Sequence, residues 1–298
     1  MTTEKMANPH LRNTTNYTLV QDPTHHYTRL NPIPSPEELK QLYDEDYYQN
    51  HYPDWIEKTI REQDYWYTIY EDRYDIFEKH IQKPNKTMLD IGSFLGLFLE
   101  VGQKREWKTV GIEPSTPARE FAQKKGIPTL EGLFENYTPE TIGTFDAINL
   151  ALEHIHDPKT FIERAYTFLN PGGILCIEVP NDFNPLQKAA QDILNLHPYW
   201  VAPPHHINYF SKESLSSLVE SCGFKVTDTL ATFPMELFLM MGTNYIGNDD
   251  IGRTCHTQRM TLEMNLKKAG LNNLKLKLYT FFTEQNIGRE IILFGQKP

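Results

Sequence analysis

The chain offers little sulfur chemistry. It has three cysteines, Cys176, Cys222 and Cys255, widely spaced and without a CxxC pair. That excludes a zinc knuckle and a dithiol redox motif. Cys176 and Cys222 lie in apolar patterns and read as buried free thiols of a reducing compartment. Long apolar runs are also missing. Met235–Met241, the most apolar late stretch, is far too short to cross a bilayer. The N-terminus, with Glu4, Lys5 and Asn8, has no apolar signal core. Both absences predict a soluble, cytoplasmic protein without a membrane partner. There is no dense Lys/Arg run either. The 29 basic residues stand against 39 acidic ones, a formal charge of −10 that repels phosphate backbones and speaks against nucleic acid as a partner. No internal repeat or low-complexity tract is visible. What remains is 39% hydrophobic and 23% charged, an ordinary globular composition. Its 298 residues suffice for one large α/β domain with sizeable additions.

Two textures divide the chain. Residues 1–26 are polar and weakly periodic, and read as a loose arm or strap. Ser35-Pro36-Glu37-Glu38 has the form of a capping box, with Pro36 at the first helical position. Asp44–Trp55 is crowded with aromatics, and a helical pattern then runs from about Ile56 to Ile81. From Lys86 onward, short apolar runs alternate with amphipathic helices, the signature of a parallel sheet wrapped by helices. Strands are expected at Thr87–Ile91, Thr109–Glu113, Pro128–Leu130, Phe145–Leu150, Ile174–Val179, from Gly223-Phe224 through Leu230, and at Glu290–Gly295. Asn170-Pro171-Gly172-Gly173 is a strong helix stop. Two stretches interrupt the alternation: Asn181–Asn208, rich in Pro, His and aromatics, and Pro234–Gly288, which looks mainly helical.

The segment most suited to ligand binding is Met88-Leu89-Asp90-Ile91-Gly92-Ser93-Phe94-Leu95-Gly96. An apolar strand there leads into a turn with two glycines and then a helix. Such a turn lets backbone approach a ligand and aims a helix N-terminus at it. Glu113 stands at the end of the next strand, where a carboxylate can accept from both hydroxyls of a ribose. These features, with Phe145-Asp146-Ala147-Ile148, Leu152-Glu153-His154-Ile155, the Asn170–Gly173 turn and a closing Gly223–Leu230/Glu290–Gly295 hairpin, resemble the class I S-adenosylmethionine (SAM)-dependent methyltransferases. The resemblance spans about residues 85–233 and 288–298. One such motif is weak; five in the right order are not. A nicotinamide-binding fold also ends its second strand in an acid, but it wants G-x-G-x-x-G, and only Gly92 and Gly96 are here. The chain departs from the family at Phe94, where a glycine is usual, and at Leu95, where a small residue is.

The resemblance implies a three-layer, Rossmann-like α/β fold: a seven-stranded, mostly parallel sheet with an antiparallel last strand. A helical N-terminal arm and cap would take residues 1–83. The SAM-binding domain would take 84–298, with insertions over the acceptor side at about 181–210 and 234–288. It also implies SAM as cofactor and S-adenosylhomocysteine as product. Asp90 would organise the loop near the amino end of SAM. Gly92, Ser93, Phe94 and Gly96 would line its methionine and ribose. Glu113 would hold the ribose diol, with Pro114 and Ser115 beside the adenine and Leu133 or Phe134 across it. Leu150 and Ala151 would lie beneath the sulfonium, and Tyr47 and Tyr48 would close over the methionine end.

Methyl transfer from a sulfonium is an in-line displacement, so alignment carries much of the catalysis. An oxygen acceptor of high pKa also needs its proton removed, and histidine suits that near neutral pH. The candidates are His154, after the fourth strand, and His205 and His206 in the Trp200–Ser211 segment, with His197 a weaker one. His205, His206 and Asp182 are suitable metal donors, but no ligand spacing supports a metal and none is assigned. Leu262, Leu266, Leu274, Leu278 and Phe282 read as packing residues, and Arg253, His256 and Arg259 as an anion site or a solvated face. The expected activity is methylation of a small polar metabolite at oxygen, as in bacterial enzymes acting on sugars or natural-product intermediates, with a homodimer possible. The alternatives are a methyltransferase acting on protein or RNA, or a non-catalytic SAM-fold binding protein.

Overall fold

The computed structural model describes residues 17–35, 38 and 55–298. Strands β1 (Thr18–Gln21) and β2 (Thr28–Asn31) form an antiparallel hairpin. Ser35 and Glu38 make the expected reciprocal cap: the Glu38 amide donates to Ser35 Oγ at 3.1 Å and the Ser35 amide to Glu38 Oε2 at 2.8 Å. Helices α1 (Trp55–Arg61) and α2 (Gln63–His80) replace the single helix expected over 56–81, with a break at Glu62.

The main unit follows in order: β3 (Thr87–Ile91), α3 (Leu97–Lys104), β4 (Lys108–Glu113), α4 (Thr116–Lys124), β5 (Thr129–Glu131), α5 (Pro139–Ile142), β6 (Phe145–Ala151), α6 (Pro158–Phe168) and β7 (Leu169–Pro180). After it come α7 (Pro185–Leu194), β8 (Asn208–Tyr209), α8 (Lys212–Ser221), β9 (Lys225–Ala231), α9 (Glu236–Met240), α10 (Asp249–Lys268), α11 (Asn272–Glu284) and β10 (Glu290–Gln296). Local chemistry starts several helices as expected. Asp157 Oδ1 accepts from the Thr160 amide at 3.2 Å ahead of Pro158 in α6, and Ser211 Oγ from the Ser214 amide at 3.3 Å in α8.

Seven strands lie in the order β5-β4-β3-β6-β7-β10-β9. β3 to β7 run parallel, and β10 is antiparallel to both its neighbours. The fold is thus the Rossmann-like, mostly parallel sheet expected. Side chains alternate across it. Leu89, Ile148, Phe161 and Phe168 pack on one face; Met88, Phe77, Phe98, Trp107 and Phe294 pack on the other. Two fully buried faces account for the near-continuous apolar runs of β3, β6 and β7.

Three expectations need correction. Residues 18–21 are not a loose arm: with β2 and β8 they build a second, three-stranded sheet, in which Arg29 pairs with Asn208. The strand expected at Ile174–Val179 starts earlier, at Leu169: α6 ends at Phe168, beside the expected stop, and the Asn170–Gly173 turn is absorbed into β7, where the Gly172 amide, at positive φ, donates to the Lys297 carbonyl at 2.9 Å. The leucines of the late helices are not packed inward. Leu262, Leu274 and Leu278 are 44%, 46% and 41% exposed, with Leu266 and Phe282 half-buried. The buried face of α10 and α11 carries Arg259, Glu263, Lys275 and Tyr279 instead. The cause lies on α2: Asp72 accepts from Asn272 Nδ2 at 2.8 Å and pairs with Lys275, so these helices dock through charge. Arg259 lies over the Tyr65 ring and bonds His256, which meets Glu62, so these two tie α10 to α2 and the break before it; Arg253 pairs with Asp250 within α10.

Candidate active site

The sheet order reverses direction between β3 and β6, and in sheets of this kind the ligand crevice lies at the carboxyl ends of the strands at that point. Asp90 and Asn149 are register partners across these strands, and Asn149 Nδ2 donates to Asp90 Oδ1 at 2.8 Å. Burial raises the Asp90 pKa to about 7 against the Asn149 hydrogen bond and the Arg73 charge. Beyond β3 the chain turns tightly, and the Gly92 and Ser93 amides both donate to the Ile112 carbonyl, at 2.9 and 3.1 Å. Glu113, 2% exposed, closes the turn. Its Oε2 accepts from the Phe94 amide at 2.7 Å and its Oε1 from the Ser115 amide at 2.8 Å. Burial raises its pKa against those two bonds.

The departure at Phe94 has a physical reading. Phe94 has φ 47°, a left-handed conformation that glycine adopts without strain. The backbone therefore turns as a glycine loop would. Its ring packs edge-on to Trp55 with centroids 6.1 Å apart, and Leu95 is buried with Leu97 and Ala118. Gly96 is constrained more tightly: at φ 70° a Cβ would lie 2.9 Å from Ile127 Cδ1. Of the adenine-side candidates, Pro114 and Leu133 are exposed, but Phe134 is buried against Phe161 and Phe168. That ring belongs to the core, because the short helical turn Phe134–Asn136 points it under the sheet. Tyr47 and Tyr48 lie outside the described residues.

The second half of the crevice follows β6. Leu150 is buried and Ala151 exposed, next to Glu178 of β7. Glu178 pairs with Arg73 of α2, which is 2% exposed. The loop after β6 is clamped by Ile207 and Asn208. Both their amides donate to the Glu153 carbonyl, at 2.8 and 3.1 Å. Asn208 Nδ2 donates to the Leu152 and Ile155 carbonyls, at 3.0 and 2.6 Å. The clamp brings His206 beside His154, ring centroids 5.1 Å apart and nearly perpendicular. His154 Nδ1 donates to the His205 carbonyl at 2.7 Å, and its Nε2 lies 3.3 Å from Glu153 Oε1.

The electrostatics divide the two rings. Burial opposes a charge on His154, but the Glu153 carboxylate and the His205 carbonyl outweigh it and raise its pKa. Burial and the His154 charge push His206 down to about 4, so its imidazole is neutral at physiological pH. Of the sequence candidates, His154 and His206 thus meet, while His205 contributes its carbonyl to the pair. His197 is exposed, and Asp182 is buried, its amide bonded to the Phe210 carbonyl. Sequence reasoning missed Asn149, Asn208, Arg73 and Glu178. Asn149 and Glu178 left a signal, a polar side chain inside an apolar strand; Arg73 and Asn208 act across long sequence distances and left none.

Residues 65–229 match a family described as "Methyltransferase domain". This chain belongs to the methyltransferase domain family. Curated relatives of this methyltransferase include the C-methyltransferase NovU of Streptomyces niveus, 26% identical over 147 residues, a match covering 47% of this chain and 33% of that one. The ubiquinone biosynthesis O-methyltransferase of Actinobacillus pleuropneumoniae serotype 7 is 31% identical over 108 residues, covering 32% and 46%. The chain thus spans less than half the length of these relatives. Among solved structures, a methyltransferase in complex with the Haloferax volcanii Trm112 activator aligns with TM-score 0.52 at 13% identity, over 83% of this chain and 96% of that one, a likeness of fold.

The residues of the crevice fit SAM, the cofactor of such domains. A carboxylate has about four acceptor positions, and Glu113 uses two on backbone amides, leaving others for a ribose diol. Asp90 is a buried acid whose raised pKa a cationic amino group would relieve. The start of α3 and the turn before it supply the close backbone approach.

Proposed function

We propose that this protein transfers a methyl group from SAM to an oxygen of a small polar acceptor, a sugar or natural-product intermediate. The observation that carries this reading is the Glu153–His154–His206 cluster beside Ala151, on the rim of the cofactor crevice. When bound, SAM supplies a methyl group on a positively charged sulfur. Glu113 would hold the ribose, Asp90 the amino end, and Gly92, Ser93, Phe94 and Gly96 would frame the methionine. Pro114 and Leu133 would flank the adenine, and Leu150 and Ala151 would lie near the reacting centre. Burial keeps His206 neutral, so its lone pair is available to the acceptor's hydroxyl. Glu153 and the His205 carbonyl orient His154 beside it.

The acidic balance, −10 overall, favours a small acceptor over RNA. Among the described residues no helix is long and apolar enough to cross a membrane. The exposed Leu262, Leu274, Leu278 and Phe281 support a homodimer through α10 and α11; sedimentation of wild type and Leu278→Asp tests it, a dimer becoming monomer. The activity is tested by incubating the protein with SAM and a panel of nucleotide sugars and polyhydroxylated aromatics, with mass spectrometry for product and NMR for the methylated atom. O-methylation is expected. A methyl group on carbon would shift the reading toward that of the C-methyltransferase relative. SAM binding without transfer to any acceptor would favour a non-catalytic binding protein.

A further inference from the structure

We infer that Glu153, His154 and His206 form a binding site for one divalent transition-metal ion of the zinc, cobalt and iron(II) class. One carboxylate oxygen and two imidazole nitrogens lie within 4.8 Å of one another. An ion about 2.1 Å from each donor would set such atoms roughly 3.4 Å apart, so rotation of the side chains closes the set. Two imidazoles and a carboxylate suit borderline divalent ions better than magnesium or calcium, which prefer all-oxygen shells.

The surroundings match those of a metal site. Metal-ligating histidines usually donate their second ring nitrogen to a carbonyl or carboxylate, which fixes tautomer and orientation. His154 does this through Nδ1, bonded to the His205 carbonyl at 2.7 Å, and so aims Nε2 toward Glu153. His206 Nδ1 is buried without a hydrogen-bond partner among the described residues, an orphaned donor–acceptor where such atoms are ordinarily paired. The clamp at Ile207 and Asn208 sets the two segments against each other before any ion arrives.

Asp182, which the sequence placed among possible donors, is not a member of the set. Three protein donors leave coordination positions open toward the acceptor, as in catalytic rather than structural sites. This deepens the proposed oxygen methylation and rests on it for its purpose, though not for ion binding itself. With the ion bound, the His206 lone pair is a ligand rather than a base: the ion takes over its role, and an acceptor hydroxyl held there loses its proton to solvent more readily. Its oxygen lone pair forms the new bond to the methyl carbon, and the broken sulfur–carbon bond leaves its pair on sulfur.

The test uses the full chain without an affinity tag, stripped by a chelator and titrated with Co²⁺. Saturation at one equivalent is expected, with visible ligand-field absorption and displacement by Zn²⁺. His206→Ala and Glu153→Gln should each weaken binding at least about tenfold while SAM affinity and melting temperature hold. His206→Gln stands in should either variant misfold. Absence of stoichiometric binding, or unchanged affinity in both variants, would overturn the ion site; full methyl transfer after chelation would overturn its part in the transfer. Binding of ion and SAM without transfer to any acceptor would keep the ion site and remove the methylation reading.

Discussion

The proposed cofactor side and the proposed acceptor side of the crevice are built in opposite ways. On the cofactor side, Asp90 to Glu113 is one strand–turn–helix–strand unit, and its groups meet through backbone hydrogen bonds between consecutive elements. On the acceptor side, Glu153 and His154 meet His206 only because a distant segment is stapled across the loop after β6. The first arrangement tolerates substitution wherever the backbone path survives, as Phe94 does at a left-handed position. The second depends, beyond the Ile207 and Asn208 amides on the Glu153 carbonyl, on one side chain, Asn208, which holds the Leu152 and Ile155 carbonyls. A site assembled locally is suited to an invariant cofactor; one assembled from remote loops is where acceptor choice can vary.

The contrast breaks if mutations on one side disturb the other. The largest effect is expected at His206: His206→Ala should lower turnover by about 10²–10⁴-fold and leave SAM affinity within about twofold in calorimetry. Glu113→Ala should weaken SAM by about 100-fold, since two charge-assisted contacts and the ribose partner go together. Unchanged SAM affinity there would displace the cofactor from this crevice. Asn208→Ala strands two loop carbonyls, so it should cost about 1–3 kcal/mol in denaturant unfolding and slow turnover about tenfold, with SAM binding intact. A parallel loss of SAM affinity would mean that the two sides are one cooperative unit.

The smallest effect sharpens the comparison through pH. The folded pKa of Asp90, about 7, exceeds its ordinary 3.8. The ligand-free protein therefore gains stability from this group below pH 3.8 and loses it as pH rises through 7. A cationic amino group favours the ionised acid, so SAM should raise the melting temperature more at pH 8 than at pH 6. Asp90→Asn should flatten that difference, and a pH-independent increment in the wild type would remove Asp90 from the amino end of SAM.

The pattern of strands was readable because each is short, apolar and bounded by turn residues, and Thr87–Ile91 falls where the periodicity puts it. The inward face of α10 and α11 was not readable. Leucine at helical spacing normally signals core, but here the partner surface on α2 presents Asp72 and Tyr65, so Lys275 and Arg259 face inward. Phe134 was misplaced for a similar reason: an aromatic after β5 looks free to flank a ligand until the core that claims it is seen. The hairpin at 18–31 escaped notice because its strands are four residues each and find their third partner in Asn208–Tyr209, far along the chain.

By itself, then, the sequence determined the sheet, the cofactor turn and the acid at Glu113, because strand periodicity, glycine freedom and a carboxylate at a strand end act within a few residues of one another. The tertiary structure alone decided which histidines meet, what Asn208 holds, and which face of the late helices is buried. Those outcomes depend on pairings between surfaces far apart in the chain, and the preference of a residue for one partner is set only when that partner is present.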